Sequence, residues 1–103
     1  MSSETLHENA ETLGASVIDT HRAIVSLMEE LEAVDWYNQR AKATADPSLR
    51  AILEHNRDEE KEHAAMALEW IRRNDSKFEE HLKTFLFSDG PIIALEKRVM
   101  NRS

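Results

Sequence analysis

The chain has 103 residues, of which 41% are apolar and 32% are charged, as in one helix-rich globular domain. Its net charge of −7 argues against nucleic acid or a membrane surface as partner, because both require a basic protein surface. The absence of cysteine excludes disulfides, iron–sulfur clusters and thiolate-bound zinc, so any metal must have oxygen and nitrogen ligands. No secretory signal or apolar run of about 20 residues is present, and we expect a cytoplasmic protein.

The spacing of the apolar residues predicts an all-α chain with two long helices. Residues 1–7 are polar and are interpreted as a disordered N-terminus. Apolar residues at helical spacing then predict a first helix over 8–43, in which Gly14 is a weak point. A turn follows, and Asp46 is expected to cap a second helix over 47–73 that begins with proline.

A short third helix is predicted after the second one. Ser76 and Glu79 have the spacing of a capping box, and the helix is expected to end near Phe87. Residues 88–103 mix apolar and basic side chains and are interpreted as a tail or a marginal helix. We therefore assign residues 8–87 to one helical hairpin with a short third helix.

The hairpin itself predicts oligomerisation. Two long antiparallel helices enclose too little apolar surface to form a sufficient core. The first helix also carries two apolar faces, which imply two kinds of neighbour. The main face contains Ile24, Leu27, Met28, Leu31 and Val34. The second face contains Val25 and Trp36, with Glu29 and Glu32 at the same spacing.

Polar residues interrupt the apolar stripe of the second helix. Helical spacing places Asn56, Glu60 and His63 on one face. The apolar residues of this face are Leu49, Ile52, Leu53, Ala67 and Trp70, the last of which we expect in the core. Burying a carboxylate and an imidazole is costly unless a charge or metal compensates, and no Lys or Arg occupies this face. Glu60 and His63 are a ligand pair suited to iron, manganese or zinc.

The Glu-x-x-His spacing by itself has a second interpretation. With fourteen Glu and five His in the chain, about one such pair is expected by chance, and Glu4 and His7 form another. Most pairs of this kind lie on solvated helix faces. The apolar surroundings favour a metal site for Glu60 and His63.

Glu30 is the predicted third ligand, because it lies at the edge of the main face of the first helix. Glu30 and Glu60 are nearly equidistant from the turn, so an antiparallel hairpin makes them face each other. One Glu facing a Glu-x-x-His pair is half of the di-iron site of ferritin-like bundles. A two-fold dimer would supply the other half and complete a four-helix bundle.

Two motifs of the chain closely resemble those of the encapsulated ferritins. They are MEELEAVDWY at 28–37 and HNRDEEKEHAAM at 55–66, and the resemblance covers about residues 20–93. The resemblance implies a two-helix ferritin-like protein that assembles as a ring of five dimers inside an encapsulin nanocompartment. It also implies a ferroxidase, which oxidises Fe(II) with O2 and passes the iron on for mineral storage within the encapsulin shell.

The resemblance also assigns roles to individual residues. Glu30, Glu60 and His63 match the ferroxidase ligands, and Tyr37 matches the tyrosine beside them. The residues that match the site through which metal ions enter are Glu29, Glu32 and Trp36. We expect two iron ions per dimer interface, with calcium, manganese or zinc able to substitute. Members of the family usually end in a targeting peptide with a Gly-Ser-Leu-like core, and residues 92–103 contain none.

Alternative functions remain open at this point. A non-catalytic helical module could hold zinc at this site or hold nothing, and would then serve only in oligomerisation. A hemerythrin-like oxygen carrier would require several histidines per site, and only His63 lies in the apolar stripe. His7, His21 and His81 are assigned no metal role.

Overall fold

The computed structural model describes residues 5–101, and this part of the chain is all helical with no strand. The helices are α1 (Ala10–Ala43), α2 (Pro47–Arg73), α3 (Ser76–Phe85) and α4 (Ile92–Met100). The predicted all-α fold class is confirmed. The chain divides into two compact units, residues 1–71 and 72–103. The predicted disordered segment 1–7 lies mostly outside the described residues. None of the described helices combines the length and apolar character needed to span a bilayer.

Helix α1 begins at a side-chain cap and is interrupted once. The Asn9 side chain accepts a hydrogen bond from the Glu11 backbone N–H at 2.8 Å, which satisfies one of the free donors of the first turn. At Gly14 the backbone leaves the helical region, with φ 79° and ψ 169°. Only glycine adopts this conformation without a steric cost, so the weak point expected at Gly14 is a kink.

The turn between α1 and α2 is held by two side chains. The Asp46 carboxylate accepts hydrogen bonds from the backbone N–H groups of Ser48 at 2.9 Å and Leu49 at 3.3 Å, as predicted for the cap. Arg50 reaches back from α2 and donates to the carbonyl oxygens of Ala41 and Thr44. These carbonyls lie at the end of α1, where they have no helical partner.

The two long helices run antiparallel, since contacts pair late residues of α1 with early residues of α2. Arg57 donates to the Asn38 side chain at 3.1 Å, and His63 lies against Glu30. The least exposed positions of both helices form the inner seam. On α1 they include Ala23, Leu27, Glu30, Val34, Tyr37 and Ala41, and on α2 they include Leu53, Arg57, Glu60, Ala64 and Ile71. Among the described residues only Ala41, Ala64 and Ile71 are buried apolar residues.

Much of the apolar surface of the hairpin is uncovered in the single chain. The predicted main face of α1 is split: Leu27 and Val34 enter the inner seam, while Leu31 stays 55% exposed. Ile24 and Met28 are exposed with it. The expectation that Trp70 lies in the core is wrong for the single chain, where Trp70 is 39% exposed. The exposed apolar stripe of α2, called the outer stripe below, consists of Leu49, Ile52, Met66 and Trp70.

The second unit contains a helix cap that the sequence analysis misassigned. Asp75, and not Ser76, is the N-cap of α3, because the Asp75 carboxylate accepts from the Phe78 N–H at 2.9 Å. Glu79 is not part of a capping box and instead pairs with Arg72 at 2.8 Å and with Lys83 at 3.3 Å. Helix α3 ends at Phe85, two residues earlier than expected.

Helix α4 lies in the segment that the sequence left open as a tail or a marginal helix. It covers Ile92–Met100 and contacts α3. Phe87 and Gly90, between the two helices, have positive φ angles of 59° and 85°. The link between α3 and α4 therefore contains two residues in the left-handed region of backbone conformation.

The Asp46 cap gives a stability prediction. We expect Asp46→Ala to lower the free energy of unfolding by about 1 kcal/mol, because two N–H groups of α2 lose their acceptor. Urea unfolding followed by circular dichroism, at one fixed protein concentration, measures the change. The matched control is Glu62→Ala, which removes an exposed acidic residue from the middle of the same helix. Equal midpoints for the two variants would contradict the assigned role of Asp46.

Candidate metal centre

Three potential metal ligands meet at the middle of the hairpin. Glu30 comes from α1, and Glu60 and His63 come from successive turns of α2. One ligand atom from each residue lies within 4.8 Å of the other two. The spacing of three residues puts Glu60 and His63 on the same side of α2, and the antiparallel pairing brings Glu30 opposite them. The cluster predicted from the sequence is therefore assembled within one chain.

The distances inside the cluster suit a bridging cation better than direct hydrogen bonds. His63 Nδ1 lies 3.5 Å from Glu30 Oε2 and 3.6 Å from Glu60 Oε2. These separations exceed the range of strong N–H···O bonds. Two ligand atoms that each lie about 2.1 Å from one metal ion are themselves about 3 to 3.5 Å apart. The two distances from His63 therefore lie close to those expected between ligands of one divalent ion.

One oxygen atom of the cluster is buried without a partner. Glu30 Oε2 makes no hydrogen bond to any described residue. The side chains of Glu30 and Glu60 are 27% and 24% exposed, whereas that of His63 is 44% exposed. A buried carboxylate oxygen without a donor is unfavourable by about 1–3 kcal/mol, and a cation would remove this penalty. The residues present thus fit a metal ion, and the side of the cluster at His63 is open.

The donor set indicates which ions are suitable. Two carboxylates and one imidazole supply hard oxygen and borderline nitrogen ligands, which suit Fe(II), Mn(II) and Zn(II). One chain supplies three ligand residues, so positions remain free for a second set of ligands or for substrate. His55 and Glu59 form a separate exposed pair at 3.0 Å and do not join the cluster.

The remaining predicted site residues lie near the cluster in sequence but do not belong to it. Tyr37 is half-buried in the inner seam, and Trp36 is 49% exposed. Glu29 and Glu32 are exposed on α1. No described contact joins these four residues to the ligand cluster, and their assigned roles stay predictions.

Sequence reasoning missed the contribution of Arg40. Its guanidinium carbon lies 5.7 Å from the ring centroid of Tyr37 and 5.9 Å from that of Trp36, which is the range of a cation–π contact. Arg40 follows the two aromatic residues by three and four positions, so helical spacing was the available signal. The guanidinium of Arg40 therefore contacts both aromatic rings.

Two basic residues beside the cluster, Arg57 and Lys61, are paired with an acidic neighbour. Hydrogen bonds from Arg57 and then Lys61 hold the pKa of Asp58 below its ordinary value. The hydrogen bond to Asp58 in turn raises the pKa of Arg57. Arg57 and Lys61 pair with Asp58 rather than with the ligand cluster.

Fold and site together define a class of protein. An all-helical hairpin that carries one Glu on its first helix and Glu-x-x-His on its second has the half-site of the ferritin-like carboxylate proteins. The family model described as EncFtn-like matches residues 5–89. The chain belongs to this family, and the resemblance to the encapsulated ferritins is confirmed.

Relatives and a solved structure agree with this assignment. The chain is 65% identical to the encapsulated ferritin-like protein of Rhodospirillum rubrum over 95 residues, which are 92% of this chain and 68% of the relative. It is 36% identical over 63 residues to the encapsulin nanocompartment cargo protein EncB of Myxococcus xanthus, covering 61% of this chain and 40% of the relative. The crystal structure of protein ne0167 from Nitrosomonas europaea has a TM-score of 0.82 and 60% identity, covering 84% of this chain and 96% of that one.

The orphaned oxygen and the open cluster give a metal-binding prediction. We expect Mn(II), as a redox-stable probe, to raise the melting temperature of the protein, because it binds the folded cluster and not the unfolded chain. Glu60→Ala should abolish this rise, since it removes one of three ligands. Glu62→Ala makes the same charge change two residues away and should keep the rise. A similar loss of the rise in both variants would indicate non-specific attraction to an acidic surface.

Proposed function

We propose that this protein is a ferroxidase, which oxidises Fe(II) to Fe(III) with O2 at a di-iron centre formed between two copies of the chain. The observation that carries the proposal is the cluster of Glu30, Glu60 and His63, with its unpartnered carboxylate oxygen. Membership of the EncFtn-like family supports iron as the metal. Iron is the substrate here, and the protein supplies the ligands that hold it.

The charge of the cluster supports the involvement of a second copy. Each chain brings two carboxylates and one imidazole. A two-fold dimer therefore brings four negative charges, which two Fe(II) ions balance. The outer stripe supports the same arrangement, because helical spacing places His63 on the same face of α2 as Ile52 and Met66, and both of these apolar residues are more than half exposed. A second copy that covers the outer stripe also closes the open side of the cluster.

Within such a centre each residue has a distinct task. Glu30 and Glu60 neutralise the ions and, by favouring the higher charge of Fe(III), lower the free energy required for oxidation. His63 fixes the geometry of each ion through a directional nitrogen ligand. Two adjacent iron ions together supply two electrons to O2. Tyr37 is proposed to lie beside the centre, where Arg40 holds its ring.

A second set of residues is proposed to deliver the metal. Glu29 and Glu32 are exposed carboxylates on α1, and Trp36 follows Glu32 one turn later. At an interface between dimers, several such carboxylates would raise the local concentration of Fe(II). We propose that this interface joins five dimers into a ring.

The relatives support a location for the protein. The name of EncB states that it is an encapsulin nanocompartment cargo protein, and the Rhodospirillum rubrum relative is named as encapsulated. We propose that this protein acts in the cytoplasm inside an encapsulin shell, where the Fe(III) that it produces is deposited as mineral. The encapsulin shell protein is then its partner.

Stopped-flow oxidation of Fe(II) in air-saturated buffer tests the ferroxidase assignment. We expect Glu30→Ala, Glu60→Ala and His63→Ala each to reduce the initial rate by more than about tenfold, because each removes one ligand type from both half-sites. Circular dichroism should remain helical in all three. Glu62→Ala is the matched control and should retain the rate. A protein that binds Fe(II) without oxidising it faster than free solution would instead be a non-catalytic metal-binding module.

Assembly gives an independent test of the shared centre. Without metal, the carboxylates of two half-sites repel each other across the dimer axis, so we expect divalent metal to increase the dimer fraction. Light scattering before and after chelator treatment measures this change. Glu30→Gln removes one repelling charge from each copy and should weaken the dependence on metal. A dimer fraction that is the same with and without metal would contradict a centre shared between copies.

A further inference from the structure

A basic recess lies beside the turn end of the hairpin, away from the metal ligands. Its volume is about 340 Å³, and both α1 and α2 contribute to it. The lining residues are Asn38, Ala41, Lys42, Arg50, Glu54 and Arg57. Three of them are cationic and one is acidic, so the lining carries a net charge of +2. This concentration of positive charge occurs in a chain whose net charge is −7.

Both guanidinium groups of the basic recess are held in place by the fold. Arg50 donates from Nε to the Ala41 carbonyl at 3.1 Å and also bonds the Thr44 carbonyl. Arg57 donates to the Asn38 side chain at 3.1 Å and from Nε to the Asp58 carboxylate at 3.0 Å, and its side chain is only 21% exposed. Each guanidinium has five N–H donors, so these bonds fix the group without using all of its donors. The remaining donors require little further ordering to bind a ligand.

Lys42 is the third cation of the basic recess, and its ammonium group has no partner among the described residues. It lies in the last turn of α1, and within residues 5–101 it makes no ion pair or hydrogen bond through its side chain. A flexible ammonium beside two fixed guanidinium groups is a common arrangement for holding an oxyanion, in which Arg supplies directed donors and Lys a point charge. Glu54 is the one residue of the lining that opposes an anion.

We propose that the basic recess binds a small oxyanion of the phosphate class, with Lys42, Arg50 and Arg57 as its ligands. The anion site is separate from the metal centre, because the two share no residue. Arg57 and Glu60 are nevertheless one helical turn apart, about 4.5 Å along the axis of α2. A bound anion therefore lies close enough to interact electrostatically with a metal-loaded cluster.

Calorimetric titration of the full chain with inorganic phosphate tests the proposal. We expect saturable binding that Lys42→Gln weakens about tenfold, through loss of one charge-assisted contact. Lys42→Arg should restore it, because the charge is kept. Glu54→Gln should tighten binding about threefold, since the opposing charge is removed. Glycerol 2-phosphate is titrated in parallel to distinguish two kinds of ligand. Tighter binding of the free ion identifies inorganic phosphate as the ligand, and tighter binding of the ester identifies an organic phosphate.

Two controls match the charge changes at positions outside the basic recess. Lys77→Gln lies in α3 and Glu62→Gln lies in the middle of α2, and both should leave phosphate binding unchanged. The titration uses metal-free protein and does not depend on Fe(II) oxidation, so failure of the ferroxidase assignment and failure of the anion site are distinguishable. Absence of saturable binding, or equal weakening by Lys42→Gln and Lys77→Gln, would overturn the proposal.

Discussion

Two carboxylates that face each other across a helical hairpin are the constraint on which this structure depends. Glu30 and Glu60 both lie in the inner seam, where neighbouring positions are occupied by apolar side chains. Like charges at half-buried positions repel each other and lose hydration, and the buried oxygen of Glu30 finds no donor. A bound cation reverses both effects. In the proposed dimer, folding, metal binding and association of two chains would therefore be coupled through the same few atoms.

The small apolar core also limits the stability of the isolated hairpin. The buried apolar residues of the hairpin, among those described, are only Ala41, Ala64 and Ile71, so it has little hydrophobic stabilisation of its own. The outer stripe is exposed on the same side of α2 as His63, so in the proposed dimer one neighbour would both cover the apolar surface and complete the metal site. Charge is also segregated along the hairpin, with acidic ligands in the middle and the basic recess near the turn.

The sequence by itself determined the hairpin and the residues of the candidate ligand cluster. Apolar residues at helical spacing and the Asp46-Pro47 step predicted both long helices, because capping and the missing proline N–H act locally. Glu30 and Glu60 are separated from the turn by nearly the same number of residues. Because both helices have the same rise per residue, this spacing predicted that the two residues face each other. The three-residue spacing of Glu60 and His63 added the third ligand.

Only the tertiary structure decided how each helix is rotated about its axis. That rotation sends Leu27 and Val34 into the inner seam, leaves Leu31 and Trp70 exposed, and depends on contacts with a second helix that no local pattern encodes. The basic recess has the same origin, because Lys42 and Arg57 come together across the hairpin. The cap of α3 was decided by backbone conformation: Asp75 is extended and accepts the Phe78 N–H, whereas Ser76 is already helical. Sequence spacing identified which residues were available, and packing between helices selected the contacts that they make.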